Sequence, residues 1–231
     1  MSLCSVRCAH DTTTALRPRG HSARTLLLAL LLPFAASATP LFDTPASPKQ
    51  VEALIPNSAT ALTRQGVLAG SFTQKKTLAD LPKPLLSSGE FLFAKDRGVI
   101  WHVLKPFDSE FVLTPTLMIT REAGSERRSN ASEQPGLKVA TQLFTALFTL
   151  DLAALEAEFS LYTSGSAKAW QVGLRPRHAA MAASFAEAVI AGGEQVQTIT
   201  LTDAQGDKTE MTLSAMHAQT VLSAADAKRF P

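Results

Sequence analysis

The sequence predicts an α+β fold in which a strongly curved antiparallel sheet carries helices on one side. Three observations support that class. From Ser71 to Leu113 the chain reads strand, loop, strand, turn, strand, with large apolar side chains at period-two spacing. Several of these strands are partly apolar on both faces, as expected of a sheet covered on one side and bent around contents on the other. Two stretches, Pro48 to Ile55 and Leu137 to Phe148, switch to helical spacing. The 231 residues are 45% hydrophobic and 18% charged, enough for one domain with a substantial core.

The N-terminus is set apart by its charge. Arg7, Arg17, Arg19 and Arg24 precede the apolar run Leu26 to Phe34, and Ala36-Ser37-Ala38 then offers small residues for cleavage. Basic, apolar, small is the order of a secretory signal peptide, which the sequence places at residues 1–38, with a single domain over 39–231. The apolar run is about half of the roughly 20 residues a spanning helix needs, and Pro33 interrupts it. Cys4 and Cys8 both lie before it, so the expected mature body has no disulfide, thiolate nucleophile or zinc–thiolate site. No Cys follows the run to accept a lipid anchor. Removing the four arginines and Asp11 from 22 basic and 20 acidic side chains leaves a net charge of about −1. A nucleic-acid partner thereby loses its electrostatic support. The expected product is a soluble, monomeric periplasmic protein.

Residues 39–48 are Pro-rich and read as a flexible lead-in. Ser47-Pro48 is an N-cap followed by a first helical residue. Val51, Leu54 and Ile55 form its apolar stripe until Pro56 breaks the helix. A short turn is expected over Asn57 to Gln65. Leu68, Gly70 and Phe72 then alternate with Ala69, Ser71 and Thr73, and the Gly leaves room for a ligand or a neighbouring backbone. Thr77 to Ser88 holds Leu78, Leu81, Pro82, Pro84, Leu85 and Leu86 without periodicity, a loop that either packs over the core edge or forms an apolar flap.

Phe91 and Phe93 share a face of the next strand. Val99, Trp101 and Val103 share a face of the third. Ser109 to Thr114 offers Phe111 and Leu113, and Leu117 to Glu122 pairs with it. Glu122 to Gly136 reads as a polar turn region with Arg127-Arg128 solvated. Leu137, Phe144, Leu147 and Phe148 lie on one broad helical face, packed on the sheet or acting as a lid. Asp151 caps a short helix through Glu158. Hairpins follow around residues 164–167 and 204–207. Met181 to Gly193 fits helix by its alanines and strand by Phe185 to Ile190. The tail from Met216 includes a short helix ending near Phe230.

A search for chemistry returns little. His102, His178 and His217 show no metal-ligand spacing. Ser164-Gly165-Ser166 lacks the Gly-x-Ser-x-Gly elbow that exposes a nucleophile. No phosphate-cradling loop follows a strand. Neither a cofactor, a metal nor catalytic residues are expected.

The segment Ser71-Phe72-Thr73-Gln74-Lys75, followed by Gly89 opening a strand, Trp101 twelve residues on and Pro106 just beyond, resembles the LolA-type periplasmic lipoprotein carriers. Divergent LolA-like proteins also carry a Leu/Pro-rich loop like Leu81-Pro82-Lys83-Pro84-Leu85. The resemblance implies an incomplete, half-open antiparallel barrel covered by helices around a hydrophobic cavity. It implies a carrier that takes acylated lipoproteins from an inner-membrane ABC exporter to an outer-membrane acceptor. The candidate lining is Leu68, Phe72, Phe91, Phe93, Val99, Trp101, Val103, Phe111, Leu113, Phe144, Leu147 and Phe148. In the family, an Arg in the turn after the Gly strand helps hold the lid. Counting from Gly89 places Lys95 there, keeping the charge without the planar fork, while Arg97 could serve from a shifted turn. Alternatives are a carrier of a glycolipid or other lipid-linked product, an exported lipid hydrolase with Ser and His meeting inside the cavity, and a structural envelope protein with a solid interior.

Overall fold

The computed structural model describes residues 41–56, 66–130, 152–183 and 185–231. The expected signal peptide, the turn over 57–65, the amphipathic stretch from Leu137 to Phe148 and the capping Asp151 lie outside the described residues.

Twelve strands form one antiparallel sheet. They are β1 (Pro45–Ala46), β2 (Val67–Thr77), β3 (Leu85–Ala94), β4 (Gly98–Lys105), β5 (Ser109–Leu113), β6 (Leu117–Glu122), β7 (Ser125–Asn130), β8 (Phe159–Ser166), β9 (Ala169–Pro176), β10 (Phe185–Gly192), β11 (Val196–Asp203) and β12 (Lys208–Gln219). The spatial order is β1-β8-β9-β10-β11-β12-β2-β3-β4-β5-β6-β7. Two up-and-down meanders, β2 to β7 and β8 to β12, are thus joined where β12 lies against β2, with Leu213 opposite Phe72. The terminal strands β1 and β7 do not pair with each other, so the sheet is not closed. Helices are few among the described residues: α1 (Pro48–Leu54), α2 (Leu152–Glu158), α3 (Ala179–Ala182) and α4 (Ala224–Ala227).

The start of α1 follows from three residues. Pro48 occupies the first turn, where its missing N–H costs nothing. The Gln50 side chain reaches back and accepts hydrogen bonds from the Ser47 N–H at 2.8 Å and the Ser47 hydroxyl at 2.9 Å. Val51 and Ile55 then join Leu155 of α2 in the main apolar cluster.

Strand alternation sorts the apolar residues onto two faces. The main cluster gathers Leu68, Phe72, Phe91, Phe93, Val99 and Trp101 with Phe159, Leu161, Trp170, Val172, Leu174, Ile190, Ile199, Met211 and Leu213. Trp170 is fully buried, and its indole N–H donates to the Gly193 carbonyl at 2.8 Å, which offsets the cost of hiding a polar group. On the other face of β2 to β6, Val67, Leu92, Ala94, Ile100, Val112 and Ile119 form a second cluster with Phe230. The two-sided apolar pattern is therefore met on this face by the chain's own C-terminal segment, where Leu222 and Phe230 supply the cover.

Charges pin that segment. Arg229 donates through Nε to Glu110 at 2.9 Å and through Nη1 to Asp226 at 3.1 Å. Arg121 donates to Glu110 and to the Arg229 carbonyl, at 2.6 and 2.9 Å. Glu126 completes the network. Its hydrogen bond from Arg121, then that from Arg128, holds its carboxyl below the usual carboxylate range.

Several expectations need correction. Residues 41–46 are not loose: Pro45 and Ala46 pair with Tyr162 and Leu161, and the Phe42 ring meets Tyr162 edge-on with Arg175 above it. The expected loop of Thr77 to Ser88 is shorter, because Leu85 to Ser88 already pair with Lys76 to Thr73. Leu81, Leu85 and Leu86 are exposed, so this segment does not pack over the core edge. The polar region after Glu122 contains β7, which pairs with all of β6 through a turn at Ala123-Gly124. The first late hairpin turns at Ala167-Lys168, leaving Gly165 inside β8 at φ +96°. Of the ambiguous stretch, Ala179–Ala182 is helix and Phe185–Gly192 strand.

Truncating the C-terminal plug tests its contribution. Phe230→Ala is expected to lower unfolding stability by about 3 kcal/mol in urea titrations, since it vacates a nearly sealed apolar site.

Candidate functional site

The neighbouring strands β2 to β5 align the candidate residues in three cross-strand rows. Leu68, Phe93, Val99 and Leu113 stand opposite one another in the first. Gly70, Phe91, Trp101 and Phe111 form the second, and Phe72, Gly89, Val103 and Ser109 the third. Each row mixes sizes, and the glycines decide where rings go. A Cβ on Gly70 would lie 2.8 Å from the Phe91 ring, so the space expected there for a ligand or backbone is taken by that ring. A Cβ on Gly89 would meet the His102 carbonyl at 1.9 Å, because β4 crosses β3 closely at this irregular register.

The rings form a layered stack. Phe72 lies on Trp101 with centroids 3.8 Å apart and planes 24° from parallel, and Phe91 lies 6.0 Å from Trp101 at 20°. Leu68, Phe72, Phe91, Phe93, Val99 and Trp101 are buried in this one cluster, with Val103 and Phe111 half-buried against it. Leu113 is buried but outside the cluster. Phe144, Leu147 and Phe148 lie outside the described residues. Lys95 and Arg97 are exposed in the turn joining β3 to β4, where the Lys95 N–H donates to the Gly66 carbonyl and the Arg97 N–H to that of Ala94.

A cavity of about 870 Å³ opens at the far end of the same strands from that turn. Its volume falls within the range of small-molecule sites, about 300–1,000 Å³. Two rows that sequence reasoning missed contribute to its lining. Thr198, Thr212, Thr73 and Ser88 stand opposite one another across β11, β12, β2 and β3. Thr200, Glu210, Lys75 and Leu86 form the next row. By strand alternation these rows face away from Phe72, Ile199 and Met211. The hydrogen bond and charge of Lys208, with Lys75 adding to them, hold the Glu210 carboxyl below its usual range. The missed signal was alternation itself: Ser71 and Thr73 in β2, Thr198 and Thr200 in β11, and Thr212 and Ser214 in β12 place hydroxyls at alternate positions. A smaller cavity of about 330 Å³ lies beside the C-terminal segment, lined by Ser71, Glu90, His217 and Arg229 among others.

Two histidines each face one carboxylate. His102 Nε2 lies 3.1 Å from Asp108, and His178 Nε2 lies 3.8 Å from Glu158. Among the described residues no group of three or more His, Cys, Asp or Glu side chains is placed to hold a metal, and no helix is long and apolar enough to cross a membrane.

Residues 46–230 match the family described as outer membrane lipoprotein carrier protein, LolA-like. No curated protein matches the chain. Among solved structures, a LolA superfamily protein from Nitrosomonas europaea is similar at 9% identity and TM-score 0.43, over 77% of this chain and 96% of that one. A DUF1329 family protein from Desulfovibrio piger is similar at 9% identity and TM-score 0.36, over 78% and 97% of the respective chains. LprF from Mycobacterium bovis is similar at 12% identity and TM-score 0.32, over 79% and 100%.

The stack has a measurable weight. Trp101→Ala is expected to cost about 3–5 kcal/mol of unfolding stability. Lys95→Ala, in the exposed turn, should change it by less than about 0.5 kcal/mol. Urea titration of both variants compares them.

Proposed function

We propose, since the chain belongs to the family of LolA-like outer membrane lipoprotein carrier proteins, that it is a periplasmic carrier of acylated lipoproteins. In this reading the signal peptide of residues 1–38 is removed, and a single domain shields the acyl chains between the two membranes. The sheet acts as a half-open barrel with helices as its cover. Leu68, Phe72, Phe91, Phe93, Val99, Trp101, Val103, Phe111 and Leu113 present its apolar lining, joined by Phe144, Leu147 and Phe148. Lys95 and Arg97 control the lid. An inner-membrane ABC exporter supplies the cargo, and an outer-membrane acceptor receives it. No residue is assigned a catalytic role.

The observation that carries the reading is the three-row apolar face of β2 to β5, with its flat aromatic stack. Such a face suits hydrocarbon. Rings and branched aliphatic side chains bind methylenes without requiring hydrogen-bond geometry, so one surface accepts chains of different length.

Energetics restrict the mechanism. At roughly 0.8 kcal/mol per methylene, a 16-carbon chain carries about 12 kcal/mol of aversion to water. Two or three chains exceed any affinity that a protein needs against free solution. The true competitor is the bilayer, where hydrocarbon is already at ease. Extraction therefore draws on an external energy source, and the carrier needs only an affinity between those of donor and acceptor.

A second reading, a carrier of a glycolipid, draws on the hydroxyl row of the 870 Å³ cavity. Four facing Thr and Ser side chains offer donors and acceptors at fixed spacing, the chemistry that a sugar headgroup matches.

Lipids that co-purify with the secreted-form protein, identified by mass spectrometry, test the two readings. Acylated peptides support the first and glycolipids the second. For a delipidated sample titrated with a triacylated lipopeptide, Trp101→Glu, Phe91→Glu and the half-buried Val103→Glu are expected to weaken retention at least about tenfold. Retention at the wild-type level in all three variants removes the proposed lining.

A further inference from the structure

We infer that the strand-end tip formed by residues 78–87 and 104–107 is a docking surface for an anionic lipid bilayer. Among the described residues, six large apolar side chains are strongly exposed, and five belong to this tip. They are Leu81 at 44%, Leu85 at 52%, Leu86 at 66%, Leu104 at 44% and Phe107 at 75% relative exposure. Exposed leucines scattered singly need no explanation, whereas five gathered at one end of a sheet do.

Topology gathers them. Leu81 lies in the connection from β2 to β3, and Leu85 and Leu86 open β3. Leu104 is next to last in β4, and Phe107 lies in the connection from β4 to β5. The last β3–β4 pair is Ser88 with Lys105, so Leu85 to Ser87 project past the end of β4.

Lysines are interleaved with these side chains. Lys76 stands opposite Leu85 and Lys75 opposite Leu86. Lys83 sits between Pro82 and Pro84, and Lys105 follows Leu104. The acids nearby in the fold are Asp80, Asp108, Asp207 and Glu210, and three of these are engaged. Glu210 pairs with Lys208 and Lys75, Asp108 meets His102, and Asp207 accepts from the Ala79 N–H. An apolar tip interleaved with lysines matches the bilayer interface: the leucines enter the acyl boundary, lysine stems lie along it, and ammonium groups reach lipid phosphates.

A bilayer fits better than a protein groove. Pro82, Pro84 and Pro106 remove backbone donors where an added strand would pair. A fluid surface also accepts a loop tip without shape complementarity. Docking has a geometric result as well. Lys75, Leu86, Lys105 and Pro106 line the 870 Å³ cavity, so its wall is continuous with the docked surface. The inference goes beyond the carrier reading, because it holds for either cargo and for none.

The test is flotation of the purified protein with vesicles of equal parts phosphatidylglycerol and phosphatidylcholine, beside vesicles of phosphatidylcholine alone. The wild type is expected to float with the mixed vesicles at low salt and less with the neutral ones. Leu85→Glu and Phe107→Glu, exposed positions outside the cavity lining, should each reduce partitioning about tenfold. Lys76→Glu combined with Lys83→Glu should reduce it about tenfold on the mixed vesicles only. Circular dichroism confirms that each variant is folded. A wild type that stays unbound on mixed vesicles overturns the proposal, as do apolar variants that bind like wild type. Failure of cargo transfer to a protein acceptor in these variants, with no vesicle binding by the wild type, assigns the tip to a protein partner instead. Lipopeptide retention distinguishes docking from carriage: a wild type that floats with the mixed vesicles but retains no lipopeptide counts against the carrier reading alone.

Discussion

A strand that is apolar on both faces must be covered twice, and this chain meets that constraint from two directions. Across β2 to β6, one face joins the cluster shared with β8 to β12, and the other receives Leu222 and Phe230 from the C-terminal segment. Apolar contact alone gives little orientation to a short cover, so its direction is set by Arg229 and Arg121 converging on Glu110. Each partly buried charge there has a partner of opposite sign, the condition under which burying charge is tolerable. With that face sealed by the protein itself, the proposed carriage falls to the aromatic face, whose rings are buried in the main cluster.

Much of this was legible because it depends on local period. Ser47, Pro48 and Gln50 specify the start of α1, and the alternation from Leu68 to Leu113 specifies four strands and the face that each residue occupies. What escaped reading lacks an apolar period. In β7 every residue from Ser125 to Asn130 is polar, so the strand rests on backbone pairing with β6 and on the Glu126 ion pairs. Pro82 and Pro84 concealed the true start of β3, although a strand is free to begin at the residue after a proline. The short β1 was hidden by its length: two residues have no period, and its place is fixed by β8 together with Phe42 on Tyr162.

The site divides along the same line. The aromatic rows were readable because sequence-adjacent strands bring them together. The hydroxyl row was not, since it requires β11 and β12 to sit beside β2, across more than a hundred residues. Where β11, β12, β2 and β3 adjoin, the sheet thus carries distinct chemistries on its two faces, with buried rings on one and a row of facing hydroxyls on the other. Alternation at a single strand, Phe72 beside Thr73, is the hinge between them. A lipid has the same division within one molecule, hydrocarbon at one end and hydrogen-bonding groups at the other.

The two indoles of the chain fall one in each meander. Trp101 is in β4 within the ring stack, whereas Trp170 is in β9 with its N–H on the Gly193 carbonyl. A protein in which Trp170 is replaced by Phe therefore carries a single intrinsic chromophore of this kind, situated within the buried ring stack itself. Its emission wavelength and quenching report the polarity around that stack directly, without any attached dye, and so read out the entry of hydrocarbon that the proposed function requires.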